Sequence, residues 1–468
     1  MKTLIIEESK ALTLVAVADL KSKEIYSLDV FNHFKKTYEG NLYTGKVVQI
    51  VEALNGIFID IGLKDNAFIQ KKELIRALGI SYHDHKDLPI GQFVKKGQMV
   101  LVQVEKEPYQ TKGAGLTGDF SLPGEFVILM PRVKGIKVSK KIRQRADLEQ
   151  LVIEVEQASS GYGVILRSSL ENDRITLEMI LKDLSQLISI WKDIELKSRL
   201  SSKIMLHFEK NKIIGKVETV IKAFVPQQAI VNEEKWLPQL KTLGFTKESV
   251  NLLATYSIFN ENGINLNRYM NHKIFSFENG IWITIEESEA FTIIDVNSGS
   301  YDSNKDKESH IYEVNKIAAA ELLKILQLKN LSGVILIDFI DMLEAQRIAF
   351  IKELQEIGYN KSNEVTILGF TRLGILELTK KRVSPSLMDL LSMHHSKQDL
   401  NYYHLHQLEL ELNGTASNTN TKRLRIDLDE DLYLLLRQHD VLKEIKIVLD
   451  LNSIPINEKK YKLHSLKH

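Results

Sequence analysis

Two aspartates stand at the ends of apolar runs and could together hold a metal ion. Asp295 directly follows Ile293 and Ile294, and Asp338 follows the run Val334–Ile337. Short apolar runs rich in β-branched residues are typical of buried strands. Because Mg²⁺ takes oxygen ligands from one or two carboxylates and keeps its other positions for water and phosphate, the two strand ends predict a Mg²⁺ or Mn²⁺ site.

In such a site the two carboxylates hold the ion, and Asn297 binds a phosphate or a metal-bound water. The ion would polarise a phosphodiester oxygen and lower the pKa of a bound water, which supplies a nucleophile at neutral pH. The alternative is that Asp295 and Asp338 are helix caps or turn residues, as Asp often is at strand ends. Taken alone, the residue types leave both interpretations open.

Aromatic and basic residues nearer the N-terminus suggest a second kind of site. Phe58 and Phe68 lie in short strand-like segments, and Lys106 and Lys112 follow in the same β-rich region. Exposed aromatic rings on a small β-barrel stack the bases of single-stranded nucleic acid, while nearby lysines contact the backbone. The alternative, which spacing alone favours, is a pair of core phenylalanines beside a solvated lysine face.

A third candidate is a phosphate clamp at the end of the apolar segment Gly163–Leu166. Arg167 and the hydroxyl residues Ser168 and Ser169 follow that segment directly. Arg offers a fork of hydrogen-bond donors to a phosphate, and serine adds single donors. An ordinary strand-to-turn junction with a surface arginine explains the same residues, and without further information it is the favoured interpretation.

Four histidines lie close together in the C-terminal part, at His394, His395, His404 and His406. Histidine is a common zinc ligand, but no second ligand pair follows at a recognised spacing. We therefore interpret these histidines as part of a solvated polar segment.

The elements that must position these residues follow from hydrophobic periodicity and turn signals. Residues 37–125 contain several short strands separated by glycine and asparagine turns, which is typical of a small barrel. Residues 276–385 alternate between strands and helices. The expected elements include N-terminal strands at Thr3–Ile6, Leu12–Ala18 and Glu24–Val30, helices at Leu170–Lys197, Glu313–Gln327 and Leu343–Gln355, a strand at Glu364–Gly369, a polar linker at Asn413–Thr421, and a strand–helix–strand tail at Lys422–His468.

Composition limits the class of protein. A length of 468 residues allows about three domains, and 44% hydrophobic with 26% charged residues is ordinary for a soluble globular protein. The 62 basic and 61 acidic residues give a net charge of +1, which argues against a protein that coats nucleic acid. Cysteine is absent, which removes disulfides and thiolate zinc sites. The N-terminus does not read as a signal peptide, because Glu7, Glu8 and Lys10 interrupt its apolar run.

Several long segments resemble the ribonuclease E/G family of bacterial endoribonucleases, in the order that the family has them. The resemblance covers most of residues 37–385, and the number and length of the motifs make it highly specific. The segments are GNLYTGKVVQIVEALNGIFIDIG (40–62), KGAGLTG (112–118), LPGEFVILMP (122–131), EESEAFTIIDVNSG (286–299), LSGVILIDFIDM (331–342) and GILELTKKRVSPSL (374–387).

The resemblance implies an α+β fold of several subdomains. An OB-fold RNA-binding barrel is inserted in a ribonuclease-H-like subdomain and is followed by a 5′-sensor region and a deoxyribonuclease-I-like catalytic subdomain. The implied boundaries are 1–36 with 212–275 for the ribonuclease-H-like subdomain, 37–125 for the barrel, 126–211 for the 5′-sensor region, 276–390 for the catalytic subdomain, and 391–468 for a small C-terminal domain with a linker near 413–421.

The resemblance also implies roles for individual residues. Asp295 and Asp338 match the two metal-binding aspartates, and Asn297 matches the asparagine beside them in the active site. The RNA-binding positions of the barrel match Phe58, Phe68, Lys106 and Lys112, and the pocket for a 5′-monophosphate matches Gly124, Ile128, Arg167 and Ser168. Relatives often have threonine where this chain has Ser168, which preserves the hydroxyl group.

The function implied is a cytoplasmic, Mg²⁺-dependent endoribonuclease, in which Mn²⁺ is an alternative ion. It would cleave single-stranded, A/U-rich RNA during mRNA decay and rRNA or tRNA processing, leaving 5′-phosphate and 3′-hydroxyl ends. The alternative is a non-catalytic RNA-binding protein on a degenerate nuclease scaffold. Retention of Asp295, Asn297 and Asp338 favours the enzyme.

One departure from the family concerns zinc. Family members often carry a cysteine pair after the segment Ser384–Leu387, and this pair holds a zinc ion shared between two protomers. This chain has no cysteine. We therefore expect no zinc, and a homodimer, if one forms, is not held by a cysteine–zinc link.

Overall fold

Two compact units make up the computed structural model. The first comprises Met1–Lys36 and Ile213–His468, and the second comprises Thr37–Lys212. The second unit is therefore an insertion in the sequence of the first. The structure describes the chain except for residues 109–111, 140–141, 143–146, 168–169, 171–174, 211, 254–256, 271–272, 278–279, 289, 299–306, 360–364, 382–384, 394–398, 419–422, 440, 442–447, 454–459 and 466–468.

The first unit begins with three strands, β1 (Lys2–Glu8), β2 (Leu12–Asp19) and β3 (Ile25–Asn32). They pair in antiparallel fashion in the order of the sequence. β1 and β2 are buried along nearly their whole length. Strands that are covered on both faces read as continuous apolar runs rather than as alternating patterns, which matches these two segments.

A closed barrel forms the first part of the second unit. Its elements are β4 (Leu42–Val51), β5 (Gly56–Asp60), β6 (Ala67–Gln70), α1 (Lys71–Ala77), α2 (Tyr82–His85), β7 (Met99–Lys106) and β8 (Gly115–Thr117). The strands follow one another in the order β4, β5, β6, β8, β7, and β7 returns to pair with β4. Alternate side chains fill the interior, including Val47, Ile57, Ile59 and Ile69. The predicted small barrel is confirmed.

The rest of the second unit packs a small sheet against a long helix. Its elements are β9 (Leu122–Pro123), β10 (Val127–Met130), β11 (Ile136–Val138), α3 (Leu148–Ala158), β12 (Gly163–Leu166), α4 (Leu177–Leu200) and β13 (Met205–Phe208). The sheet order is β11, β12, β10, β9, while β13 pairs with β4. The helix predicted from Leu170 begins later, at Leu177, because the Thr176 hydroxyl caps it by accepting from the Met179 amide.

The first unit resumes at Ile213, the second residue of α5 (Lys212–Phe224). The elements that follow are β14 (Gln228–Val231), α6 (Trp236–Thr242), β15 (Val250–Leu252), α7 (Ile258–Glu261) and α8 (Asn267–Met270). β14 lies parallel to β1, and β15 lies parallel to β14. The resulting five-stranded sheet has the order β15, β14, β1, β2, β3. It joins the N-terminal strands to the segment that follows the second unit in the sequence.

A six-stranded sheet follows in the first unit. Its elements are β16 (Ile274–Ser276), β17 (Trp282–Glu287), β18 (Phe291–Asn297), α9 (Lys307–Leu328), β19 (Gly333–Asp338), α10 (Glu344–Tyr359), β20 (Val365–Phe370) and β21 (Leu376–Lys380). The order is β16, β17, β18, β19, β21, β20. Both predicted helices are present, but α9 begins six residues before the predicted Glu313 and α10 ends four residues after the predicted Gln355. The sequence did not predict β16, which has only three residues, or β21, which is short and carries Glu377, Thr379 and Lys380.

The C-terminal part contains α11 (Leu387–Leu391), α12 (Asn401–Asn418), β22 (Arg423–Leu428), α13 (Glu430–His439), β23 (Val448–Ser453) and β24 (Tyr461–Ser465). The linker expected over Asn413–Thr421 is wrong as far as Asn418, because α12 continues to that residue. Buried Leu405, Leu408 and Leu412 anchor the helix, and it propagates beyond them through polar residues of low helix propensity.

Within the part of the chain that the structure describes, none of the helices has the length and apolar character needed to cross a bilayer.

Candidate active site and RNA-binding surface

The two aspartates of the predicted metal site lie side by side. β18 and β19 are parallel neighbours, and their register places Asp295 directly opposite Asp338. Neighbouring strands are about 4.8 Å apart, so the two residues project from the same face at the same level. The preceding Ile294 and Ile337 are buried on the opposite face, whereas both aspartates are exposed. Neither aspartate caps α9 or α10, which begin at Lys307 and Glu344.

Asn297 joins this pair at the end of β18. Its side-chain Nδ2 donates to Asp295 Oδ2 at 2.8 Å, which fixes the orientation of both groups. The described residues contain no cluster of three or more His, Cys, Asp or Glu side chains arranged to hold a metal. Two exposed carboxylates on adjacent strands fit Mg²⁺, which binds through one or two carboxylates and retains several waters.

The loop after Asp338 is held by a residue that the sequence did not reveal. The Asn315 side chain on α9 is fully buried; its Nδ2 donates to the Ile340 carbonyl at 2.8 Å and its Oδ1 accepts from the Ile340 amide at 3.1 Å. Phe339 packs edge-on against Phe350, with ring centroids 5.0 Å apart. The only signal in the sequence is an asparagine on an otherwise apolar helix face. These contacts fix the end of β19 and therefore Asp338.

The barrel brings three of the four predicted RNA-binding residues into one row. Phe58 on β5 pairs with Phe68 on β6, Phe68 pairs with Gly115 on β8, and Gly115 pairs with Lys106 on β7. The two rings are 5.3 Å apart at 58° and only partly buried, unlike core phenylalanines. Gly115 has no side chain, and the Lys106 chain lies over it, with the Lys106 Cβ 3.2 Å from where a Cβ on Gly115 would be.

Lys112 lies just before β8 and is exposed. The following Gly113 passes so close to Asn66 that an added Cβ would lie 2.0 Å from the Asn66 carbonyl oxygen. A larger residue could not occupy position 113 without moving backbone. The glycine therefore determines the path of the chain that presents Lys112.

The predicted phosphate clamp is only partly described, because Ser168 lies outside the described residues. Ile128 on β10 pairs with Ile165 on β12, and the Arg167 guanidinium donates to the Gly124 carbonyl. Asp183 on α4 was not predicted. Its Oδ2 accepts from the amides of Phe126 and Val127 at 2.7 and 3.1 Å. Gly124, Ile128 and Arg167 are therefore brought together at one end of this sheet.

The C-terminal histidines do not form a solvated segment where they are described. His406 is fully buried; its Nε2 lies 2.9 Å from Glu7 Oε1 and its Nδ1 lies 2.8 Å from Ser9 Oγ. Burial lowers the pKa of His404 below its usual value. The interpretation as solvated polar residues is therefore wrong for His406, which ties α12 to β1. His394 and His395 lie outside the described residues.

Comparison with known proteins agrees with this arrangement. Residues 36–117 match the S1 RNA binding domain, and residues 121–383 match the Ribonuclease E/G family. The chain is thus a protein with an S1 domain of the OB fold followed by a ribonuclease domain. It belongs to the ribonuclease E/G family, which confirms the resemblance noted in the sequence and the prediction of an enzyme of the ribonuclease class.

Individual relatives are similar over about three quarters of the chain. Ribonuclease G of Haemophilus influenzae is 29% identical over 76% of this chain and 75% of its own length. Ribonuclease G of Escherichia coli strain K12 is 27% identical over 75% of this chain and 74% of its own length. Ribonuclease E of Buchnera aphidicola is 30% identical over 81% of this chain, but the match covers 43% of that longer protein.

Proposed function

We propose that this chain is a Mg²⁺-dependent endoribonuclease whose catalytic centre is formed by Asp295, Asn297 and Asp338. The observation that carries the proposal is the register of β18 and β19, which sets the two carboxylates opposite each other near the C-terminal ends of the two central strands of the sheet. When bound there, Mg²⁺ or Mn²⁺ would lower the pKa of a water and stabilise charge on the phosphate. The protein positions the reacting groups: Asn297 orients Asp295 and can contact the substrate phosphate.

RNA binding is assigned to the barrel. Phe58 and Phe68 stack bases, and Lys106 and Lys112 contact the RNA backbone. A row of partly exposed rings followed by a lysine supports this assignment, since it offers both kinds of contact along one line. Such binding is tolerant of sequence, because every base has a π-face. The substrate class is therefore single-stranded RNA, which we take to be A/U-rich as in the family resemblance.

We further propose that Gly124, Ile128, Arg167 and Ser168 form a pocket for the 5′-monophosphate of the RNA. The support is the contact of Arg167 with Gly124 and the turn that Asp183 holds in place. An arginine at a hydrogen-bonded turn matches phosphate geometry. The products carry 5′-phosphate and 3′-hydroxyl ends, and the role is in mRNA decay and rRNA or tRNA processing in the cytoplasm. Any homodimer forms without a cysteine–zinc link.

The boundaries of the subdomains belong to the same proposal. We assign 1–36 with 212–275 to a ribonuclease-H-like subdomain, 37–125 to the OB-fold barrel and 126–211 to the 5′-sensor region. Residues 276–390 form a deoxyribonuclease-I-like catalytic subdomain, and 391–468 form a C-terminal domain. The sheet that joins β1–β3 to β14 and β15 supports the first assignment.

A cleavage assay tests the proposed function. A single-stranded RNA labelled at one end is incubated with the full chain, with and without Mg²⁺, and the new ends are identified by their susceptibility to phosphatase and kinase. We expect internal cleavage that needs the divalent ion and leaves 5′-phosphate ends. RNA binding without cleavage at any concentration of Mg²⁺ or Mn²⁺ would instead establish the non-catalytic RNA-binding alternative.

A further inference from the structure

An arginine nine residues after Asp338 in the sequence has no role in the proposed mechanism. Arg347 lies in the first turn of α10, and its amide donates to the Leu343 carbonyl. Only residues 339–343 separate Asp338 from α10, and Asn315 pins the middle of that short loop at Ile340. The start of α10 is therefore held close to the candidate metal site.

The Arg347 guanidinium is held against the turn between β20 and β21. Its central carbon lies 5.4 Å from the centre of the Phe370 ring, and Nη2 lies 2.9 Å from where a Cβ on Gly374 would be. Leu376, two residues after Gly374, pairs with Ile337. The turn that supports the guanidinium is thus next to the end of β19, where Asp338 stands.

Within the described part of the chain, few bonds hold this guanidinium in place. Its Nη2 lies 3.2 Å from Asp341 Oδ1, and the Asp341 side chain is 96% exposed. An ion pair with so exposed a partner is weak, because water screens it. The Nε atom of Arg347 is buried and has no acceptor among the described residues. The Arg347 side chain as a whole is 25% exposed, and a guanidinium has five N–H donors, so donor capacity is left for an incoming oxyanion.

A cavity of 260 Å³ opens at this point. Arg347 is the only cation among the described residues that line it, and the charged residues with it are Glu308 and Asp341. An anion that enters this cavity would therefore be attracted by Arg347 and repelled by the two acids. Arg347 would bind such an anion by exchanging its weak ion pair with Asp341 for a stronger pair with the anion.

We propose that Arg347 binds a phosphate of the RNA substrate that flanks the bond cleaved at Asp295 and Asp338, and that Asp341 is its counter-ion in the absence of RNA. The fork of guanidinium donors matches two phosphate oxygens, which a lysine could not contact in the same way. Arg347 is in this view a substrate-binding residue rather than a metal ligand. The inference rests on the proposed function, since it requires RNA to reach the ends of β18 and β19.

The test measures RNA binding by the full chain in EDTA, where no cleavage occurs. Fluorescence anisotropy of a labelled single-stranded RNA is followed over a range of KCl concentrations. Loss of one phosphate contact on a single strand reduces the slope of log affinity against log salt by about 0.7. We expect this reduction for Arg347→Gln, with affinity weaker by roughly tenfold at fixed low salt. Arg347→Lys should recover the slope but only part of the affinity.

Two further variants separate this role from loss of fold. Asp341→Asn is expected to bind RNA more tightly than the wild type, because it removes a repulsive charge and frees Arg347; unfolding could not produce that gain. Arg437→Gln is the matched control, since Arg437 also stacks on a ring, that of Tyr433, at 5.3 Å. It should leave both slope and affinity unchanged.

The outcomes distinguish this inference from the proposed function. If the wild type cleaves RNA while Arg347→Gln has the same slope and affinity as Arg437→Gln, the role of Arg347 is refuted and the nuclease stands. Weaker binding by Asp341→Asn would also refute it. If the wild type does not cleave RNA under any conditions, the proposed function is refuted, and the inference about Arg347 is refuted with it.

Discussion

At the scale of single residues, the candidate site depends on what surrounds its two carboxylates. Asp295 is oriented by Asn297, and Asp338 is held by the buried Phe339 that follows it and by the bonds of Asn315 to Ile340. The acids themselves were predictable, because a charge that ends an apolar run stands out in the sequence. Asn315 was not, because its partner is a backbone group that only the folded chain brings near.

Substitution of Asn315 tests this support. Asn315→Ala leaves the partly buried amide and carbonyl of Ile340 without their side-chain partner, which should lower the free energy of unfolding by about 1–3 kcal/mol. Urea denaturation measures the loss. We also expect kcat for RNA cleavage to fall more than RNA affinity does, because Asp338 loses its fixed position. A variant with wild-type stability and kcat would show that the loop is held by other contacts.

The aromatic pair on the barrel gives a second prediction at this scale. Phe58→Ala and Phe68→Ala should each weaken binding of single-stranded RNA by about 1–3 kcal/mol, the usual value of stacking one base. Equilibrium binding in EDTA measures the effect without cleavage. Phe93→Ala, which removes another partly buried ring of the same unit, serves as the control. Equal, small effects of all three substitutions would mean that Phe58 and Phe68 only pack the barrel.

At the scale of elements, the sequence predicted the helices and strands whose hydrophobic pattern is strong. It did not predict strands that form mainly because they pair with neighbouring strands. The apolar runs of β18 and β19 and the long helices α9 and α10 were clear. β21 was not, because Glu377, Thr379 and Lys380 give it a polar composition, and it forms by pairing with β19 and β20. α12 was also misjudged at its end, where Thr415 donates to the Glu411 carbonyl within a helix that buried leucines have already started.

α12 also gives a pH-dependent prediction. Burial lowers the pKa of His404 below the value of 6.5 that it has when unfolded, with a smaller contribution from Lys460. Below pH 6.5 the unfolded chain therefore binds more protons than the folded chain, and stability falls as the pH decreases. We expect urea denaturation at pH 7.5 and 5.5 to show this loss, and His404→Leu to reduce it. An unchanged pH dependence in the variant would assign the effect to other groups.

At the scale of the whole molecule, the charge balance reflects two kinds of surface. The net charge of +1 is the sum of opposite local charges: acidic residues at the ends of β18 and β19 in the first unit, and exposed lysines on the barrel of the second. Composition alone could not assign these surfaces, whereas the order of the long motifs identified the family. Base stacking is thus proposed for the barrel of the second unit and catalysis for the first unit, in which Arg347 adds a phosphate contact.

The 5′-phosphate pocket makes a prediction that involves the complete enzyme. One RNA is prepared with a 5′-monophosphate, a 5′-hydroxyl or a 5′-triphosphate, and the three cleavage rates are compared. We expect the monophosphate form to be cleaved several-fold faster, because a terminal phosphate dianion can accept a fork of hydrogen bonds from Arg167, which a 5′-hydroxyl cannot do. Arg167→Gln should abolish the difference, whereas Arg199→Gln on α4 should not. Equal rates for the three RNAs with the wild type would show that the pocket does not sense the 5′ end.

The pairing of Asp295 with Asp338 is the central claim, and one comparison of variants tests it most directly. Cleavage of a single-stranded RNA in Mg²⁺ and binding of the same RNA in EDTA are measured for Asp295→Asn, Asp338→Asn and the control Asp193→Asn, an exposed acid on α4 that pairs with Lys197. We predict that the first two variants lose at least about 100-fold in kcat, while their RNA affinity stays within about twofold of the wild type. The control should match the wild type in both measurements. Cleavage at the wild-type rate by Asp295→Asn and Asp338→Asn would contradict the account.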